Sequence, residues 1–237
     1  MALLLIAHRC GPGVFPEQSI ASARHALSIG ADMVEMDVQY TSDGYPVICH
    51  DPNASRMFGV DKLVKDMTFC EFMTLRQVQD KSYPSHSLQD VLTSGIAPIL
   101  LHCKITGGQL KDLALRIKAA EFENKTVIGV QEAEDVETIK SIAPHVRVLS
   151  FMPRFEQFDS FLESRADYIR LWEDFVNQSR IDRIHSSGKQ AWIMAGQPTP
   201  ESVGYTTPDK LLSWANMQVD GVLVNDIGWA KSILGRT

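Results

Sequence analysis

A (β/α)8 (TIM) barrel is the fold that three features of this 237-residue sequence predict. Short apolar runs alternate with amphipathic segments along the whole length, and the apolar runs number eight. The runs are near-continuous, as in Leu3-Leu4-Leu5-Ile6 or Val222-Leu223-Val224, which suits parallel strands buried on both faces. The length also fits, since such barrels take about 250 residues. A doubly wound open sheet is the other compatible architecture, because a strand count does not show closure.

The expected strands are 3–8, 32–37, 98–104, 126–130, 146–150, 167–171, 189–194 and 220–225. Between them, helical periodicity marks 16–29, 108–122, 133–142, 155–163, 176–187 and 208–217. Gly30, Gly188 and the Val219-Asp220-Gly221 turn supply stops. One stretch does not fit. Residues 52–96 hold a polar run (53–65) and short helical pieces at 69–78 and 87–92, too much for a βα connection. They are expected to form a small insertion, or lid, at one end of a single domain spanning 1–237.

Hydrophobic residues make up 44% of the chain and charged ones 22%, with a net charge of −6. That balance argues against nucleic acid or an anionic membrane as partner. No apolar run approaches the ~20 residues of a membrane span, so stable membrane association is not expected. The apolar opening 2–7 lacks a basic flank and leads into His8-Arg9, which reads as a strand and not a signal peptide. Cys10, Cys49, Cys70 and Cys103 show no disulfide framework, so the default compartment is the cytoplasm. Whether the chain forms a homo-oligomer stays open.

The stretch from Ala31 to Pro52 concentrates the chemistry. A two-residue turn at Asp43-Gly44 would pair its two arms and set Asp37 opposite His50. Glu35 shares the face of Asp37 by strand parity. Both acids sit among Met33, Val34, Met36 and Val38, where a carboxylate is costly unless paired or metal-bound. In barrels of this kind the chemistry lies at the carboxyl ends of the strands. Those ends add His8 and Arg9, His102 and Lys104, Gln131, Trp172, Trp192 and Asp226, with His50 and Asp51 joining through the hairpin. A Cys/His zinc site is disfavoured, because parity turns Cys49 and Cys103 away from His50 and His102, toward the helix layer.

The run IAHRCGPGVFPEQSIASARHALSIGADMVEMDVQYTSDGYPVICHDP resembles the amino-terminal signature of the glycerophosphodiester phosphodiesterases. Its parts are a strand ending in His-Arg, a Pro-Glu at the next helix start, a Glu-x-Asp strand, a Thr-x-Asp-Gly turn and a His-Asp pair. The likeness continues through His102-Cys103-Lys104, HSSGKQAWIM and QVDGVLVND. The resemblance implies hydrolysis of a small glycerophosphodiester to an alcohol and a phosphomonoester, in lipid and glycerol metabolism. It implies a divalent metal (Mg²⁺, Ca²⁺ or Mn²⁺) on Glu35 and Asp37, and His8 with His50 as acid and base. Arg9 and Lys104 would hold phosphate, Glu17 would brace the site, and Trp192 would touch substrate.

Three departures qualify the likeness. The family's third metal-binding Glu, two residues before the strand-three Lys, is His102 here. An imidazole suits Mn²⁺ or another transition metal better than Mg²⁺ or Ca²⁺. The usual Pro-Glu-Asn-Thr reads Pro16-Glu17-Gln18-Ser19, the last-strand Thr-Asp reads Asn225-Asp226, and Ala195 replaces an Asn. Two other readings therefore stand beside the hydrolase: a phosphodiester-binding protein weakened by His102, and a Lys104 Schiff-base lyase.

Overall fold

Each of the eight apolar runs becomes a parallel strand, and the sheet closes on itself. The computed structural model describes residues 2–105 and 107–236. The strands are β1 (Leu4–Ala7), β2 (Met33–Tyr40), β3 (Pro46–Ile48), β4 (Ile99–Cys103), β5 (Thr126–Val130), β6 (Arg147–Ser150), β7 (Tyr168–Trp172), β8 (Gln190–Met194) and β9 (Gly221–Val224). Hydrogen bonding runs β1-β9-β8-β7-β6-β5-β4-β2, and β1 pairs back onto β2 to complete the ring. Only β3 is antiparallel, lying outside the ring against β2.

The crossover helices are α1 (Ile20–Ser28), α4 (Leu88–Thr93), α5 (Gly108–Ala119), α6 (Ala133–Ile142), α7 (Phe158–Glu163), α8 (Gln178–Ser186) and α9 (Pro208–Asn216). α10 (Ile227–Ile233), which periodicity did not single out, follows β9. Side-chain caps start many of them. Ser19 accepts from Ser22 N, Ser87 and Asp90 form a capping box, and Thr207 caps a helix with Pro208 at its first position. Asp226 has the same task at α10, accepting from Trp229 N at 2.8 Å.

Strand parity sorts the residues into two cores. Outward side chains such as Val34, Leu101, Ile128, Val148, Ile169, Ile193 and Val222 meet the helices. Inward ones, Ile6, Leu100, Val127, Leu149, Tyr168, Trp192 and Leu223, fill the barrel. Trp192 stacks on Tyr168 with centroids 4.5 Å apart and is fully buried. It closes the barrel interior and lines no cavity at the barrel mouth, which corrects the expected role. One layer higher on the same parity stand Glu35, His102, Gly129, Phe151, Arg170 and Met194.

The insertion is shorter than 52–96. Leu88, Val91 and Leu92 pack into the outer barrel core, so α4 is the ordinary crossover helix before β4. What remains carries α2 (Ser55–Phe58) and α3 (Phe69–Met73) and has its own cluster, including Met57, Phe58, Val64 and Phe72 with Val47 and Cys49. Cys103 faces the helix layer as parity requires, whereas Cys49 faces this insertion cluster.

The hairpin register also differs from expectation. Val38 pairs with Ile48 and Tyr40 with Pro46, so Asp37 stands opposite Cys49 and not His50. Thr41 and Tyr45 close the loop through Thr41 N to Tyr45 O at 3.0 Å, and Thr41 Oγ1 binds both Asp43 Oδ1 and Tyr45 N. The loop thus holds three residues with Gly44 left-handed at its end, the next commonest hairpin after the two-residue turn. A one-residue slip exchanges faces.

Gly129 is glycine for a steric reason. A Cβ there would come within 2.4 Å of Phe151, whose ring stacks on His102 at 3.9 Å. Gly129→Ala is expected to destabilise the fold by about 1–3 kcal/mol through overpacking. Urea unfolding measures it, and an unchanged midpoint would mean that Phe151 is not held against β5.

Candidate functional site

At the carboxyl end of the barrel the inward side chains stop being apolar. Register places Asp37 of β2 beside His102 of β4, with Glu35 one inward step below. Glu35 and Asp37 are buried, and His102 Nδ1 lies 2.9 Å from Asp37 Oδ1 and 3.9 Å from Glu35 Oε1. One ligand atom from each of the three residues falls within 4.8 Å of the others.

A strained turn delivers the next groups. After β1 the chain enters the left-handed region at Arg9 (φ 50°) and Cys10 (φ 67°), a conformation that costs roughly 1–2 kcal/mol per non-glycine residue. The geometry directs Arg9 N–H at Glu35 Oε2, 2.7 Å away. Gln18, also left-handed (φ 59°), donates from Nε2 to Asp37 Oδ2 at 2.6 Å and accepts from Asp37 N at 2.9 Å. This two-point grip is how the Gln of Pro16-Glu17-Gln18-Ser19 enters the site.

His8 is buried, and its Nδ1 lies 2.8 Å from Asn225 Oδ1. The Asn225 amide NH₂ donates to Val203 O at 2.8 Å, so its oxygen faces the imidazole. His8 therefore carries its proton on Nδ1 and turns the Nε2 lone pair to the cavity. A Cβ at Gly204 (φ +84°) would overlap Asn225 Oδ1 at 2.3 Å, so the loop after β8 can come this close only as glycine. His50 lies beyond the end of β3. Its Nδ1 is 2.6 Å from Asp51 Oδ1, its Nε2 accepts from Arg9 Nη2 at 2.7 Å, and Lys104 Nζ donates to its carbonyl at 2.5 Å.

The other sequence candidates fall around this core. Lys104 Nζ is 3.2 Å from Asp37 Oδ1 and stands behind the carboxylates instead of lining the cavity. Glu17 lies 3.4 Å from Arg9 and also binds Arg56, which in turn binds Asp51. Gln131 and Trp172 line the cavity, while Trp192 and the helix-capping Asp226 do not. Sequence reasoning noted Gln18 and Asn225 only as departures from the family signature and missed Arg56, Phe151 and Arg170. Arg56 comes from the insertion helix α2, which no periodic signal marked.

Burial, then the charge of Asp37, pushes the Glu35 carboxyl up. Burial acts the same way on Asp37, but Lys104 and His102 overcome it and hold that carboxyl well below the usual range. Burial lowers His102, against the pull of Asp37. Burial, aided by Arg9, lowers His8 to about 3, so it is neutral at pH 7. Asp37 Oδ1 is buried without a hydrogen bond of good geometry, although His102 Nδ1 and Lys104 Nζ stand near it. An under-satisfied carboxylate oxygen, a second acid and an imidazole nitrogen form a donor set that fits a divalent cation.

A cavity of about 830 Å³ opens above these groups, lined by His8, Arg9, Glu35, Asp37, His50 and His102 on one side. Phe151, Trp172, Phe175, Met194 and Pro198 form much of its other wall.

A family model described as the glycerophosphoryl diester phosphodiesterase family matches residues 8–100. A glycerophosphodiester phosphodiesterase of Caldanaerobacter subterraneus subsp. tengcongensis is 30% identical over 162 residues, covering 62% of this chain and 66% of that protein. Human lysophospholipase D GDPD1 is 31% identical over 145 residues, covering 56% of this chain and 46% of that one. The chain thus spans about half to two thirds of the length of these relatives. Among solved structures, a glycerophosphodiester phosphodiesterase from Agrobacterium tumefaciens superposes with a TM-score of 0.81 at 19% identity, covering 98% of this chain and 99% of that one. An Oleispira antarctica phosphodiesterase in complex with its product sn-glycerol-3-phosphate gives 0.80 at 17% identity, covering 99% and 97%. At these identities the two structures speak for the fold.

The neutrality of His8 ties stability to pH. Between the unfolded value near 6.5 and the folded value near 3, the unfolded chain binds a proton that the native state refuses. This stability is present above pH ~6.5 and is lost as pH falls toward 3. Urea titrations at pH 7 and pH 5 should show wild type losing more stability than His8→Gln. Equal losses would mean that His8 is not held neutral.

Proposed function

The chain belongs to the glycerophosphoryl diester phosphodiesterase family, and on that premise we propose that it is a metal-dependent phosphoric diester hydrolase. Its substrate would be a small glycerophosphodiester, cleaved to an alcohol and a glycerol 3-phosphate-like monoester. The observation that carries this reading is the pair of imidazoles, His8 and His50, held beside Glu35, Asp37 and His102 at the mouth of one cavity.

Glu35, Asp37 and His102 would hold the divalent cation, which when bound polarises a phosphoryl oxygen and acidifies a nearby hydroxyl. His102 points to Mn²⁺ or another transition metal before Mg²⁺ or Ca²⁺. Arg9 lines the cavity with its Nε buried and without a partner, which suits it to a phosphate oxygen. Moving to that oxygen would free His50 Nε2, to which Arg9 Nη2 donates.

His8 is assigned the base. Asn225 fixes its Nδ1–H, so the neutral ring can take the proton of the substrate hydroxyl next to the ester at Nε2. His50 is assigned the acid. Its Nδ1–H is held by Asp51, so a proton carried on Nε2 faces the cavity and can pass to the departing alkoxide. Attack by the neighbouring hydroxyl forms a cyclic diester and releases the alcohol. Water then opens the ring with the two histidines in exchanged roles. Lys104 would act through Asp37 and the His50 carbonyl as a positioning residue, and Glu17 through Arg9 and Arg56.

The close contact between His102 and Asp37 favours one second reading. It lets the protein satisfy Asp37 with its own His102 and Lys104, as a phosphodiester-binding protein without turnover would. Mutation separates the two. His8→Ala and His50→Ala are each expected to cut alcohol release by about 100-fold or more, the usual contribution of an acid or base. Steady-state assay with a glycerophosphodiester measures it, and a near-normal rate in either variant would remove that histidine from the mechanism.

A further inference from the structure

Arg170 is the buried cation that the proposed reaction leaves unused. It points into the barrel from the middle of β7, on the same face as Tyr168 and Trp172, and is 2% exposed. Its guanidinium makes one hydrogen bond, from Nη2 to Met152 O at 3.3 Å. Nε and Nη1 are buried with no partner. Among the described residues no carboxylate forms an ion pair with it. Asp174 lines the same cavity but is exposed to solvent.

A buried guanidinium without a counter-charge is costly, and a Met or Leu of similar bulk would fill the space more favourably. Two aromatic rings cradle the group, Trp172 at 4.5 Å and Phe151 at 5.0 Å from Cζ. They offset part of that cost and hold the planar fork in one orientation. Arg170 lines the cavity wall with Phe151 and Trp172, and a rigid fork of this kind suits a two-oxygen anion.

The Phe151 ring stands between this pole and the catalytic one, 3.9 Å from the His102 ring and 5.0 Å from Arg170 Cζ. In the closed ring β7 stands four strands from β2 in either direction, so Arg170 lies across the barrel from Glu35 and Asp37. Gln131 and Phe151 line the wall between. A ligand with its phosphodiester at the carboxylate pole would extend its other end toward Arg170.

We propose that Arg170, with Phe151 and Trp172, forms a second anion subsite that selects diesters whose alcohol carries its own carboxylate or phosphate. This rests on the hydrolase reading above. The subsite is a specificity device: the unpaired fork remains unsatisfied when a neutral head group occupies the cavity, and a site with buried polar groups discriminates strongly against ligands that leave them unpaired.

Three diesters on one skeleton test it. Glycerophosphoglycerol is neutral at the far end, its terminal phosphomonoester adds a phosphate there, and the glycerate analogue replaces the terminal hydroxymethyl with a carboxylate. Wild type should favour at least one anionic diester by about tenfold or more in kcat/KM, and the better of the two identifies the anion. Arg170→Met should bring that ratio close to one, and Arg170→Lys, which keeps the charge but not the fork, should give an intermediate value. No preference in wild type, or the same ratio in all three proteins, would overturn the subsite. Should Arg170→Met fail to fold, the wild-type preference and the Lys variant decide.

If none of the diesters is cleaved, the hydrolase reading fails and binding judges the subsite separately. Calorimetry would compare 3-phosphoglycerate with glycerol 3-phosphate, which differ in a carboxylate for a hydroxymethyl. Tighter binding of the former by wild type, lost in Arg170→Met, supports the subsite. Equal affinities in wild type contradict it.

Discussion

Two carboxylates buried two residues apart on one strand set the terms for everything around them. Glu35 and Asp37 face into the same barrel mouth, and their mutual repulsion in a low-dielectric setting has to be offset. The protein does so with fixed groups. Gln18 holds Asp37 from both sides, Lys104 brings positive charge, the His102 imidazole lies against Asp37, and the backbone N–H of Arg9 binds Glu35. That N–H is in place only because Arg9 and Cys10 adopt a left-handed conformation. The strain after β1 and the acids of β2 are therefore one device.

The rest of the barrel positions this device and shapes the space in front of it. A plug of Ile6, Leu100, Tyr168, Trp192 and Leu223 closes the interior below, so the polar layer has a dry floor. Gly129 lets Phe151 lie flat on His102, fixing that imidazole against Asp37. Gly204 lets the β8 loop approach Asn225, which selects the tautomer of His8. The insertion contributes through Arg56, which ties Asp51 to Glu17 and so links the His50 side of the mouth to the Arg9 side. Glycines one contact removed from the imidazoles thus decide how those rings are held.

Much of this was legible in the sequence, and the failures have physical causes. Eight apolar runs and their helices predicted the barrel, though not its closure; parity put Glu35 and Asp37 on one face, and the strand ends added His102. The hairpin register failed because Thr41 caps the turn with its hydroxyl and adds a residue to the loop, which a bare Asp-Gly signal does not reveal. His50 still reaches the site, since it lies past the strand end and escapes the parity that the slip reversed. Trp192 misled because a tryptophan near a strand end fits the rim as well as the interior; its complete burial in the inner cluster, away from the cavity lining, decided it. Asp226 was spent on a helix cap. Arg170 left no trace, for a single Arg inside a strand reads as surface until the inward parity of β7 is known.

If these acids and His102 hold a cation for phosphodiester cleavage, turnover depends on metal. Metal-stripped protein would be given a set of glycerophosphodiesters with Mg²⁺, Ca²⁺, Mn²⁺ or Co²⁺ restored one at a time, and the released alcohol measured. The account predicts no release without metal, and release that is greatest with Mn²⁺ or Co²⁺. Full activity in the stripped protein, or no alcohol with any of the four ions, would contradict it.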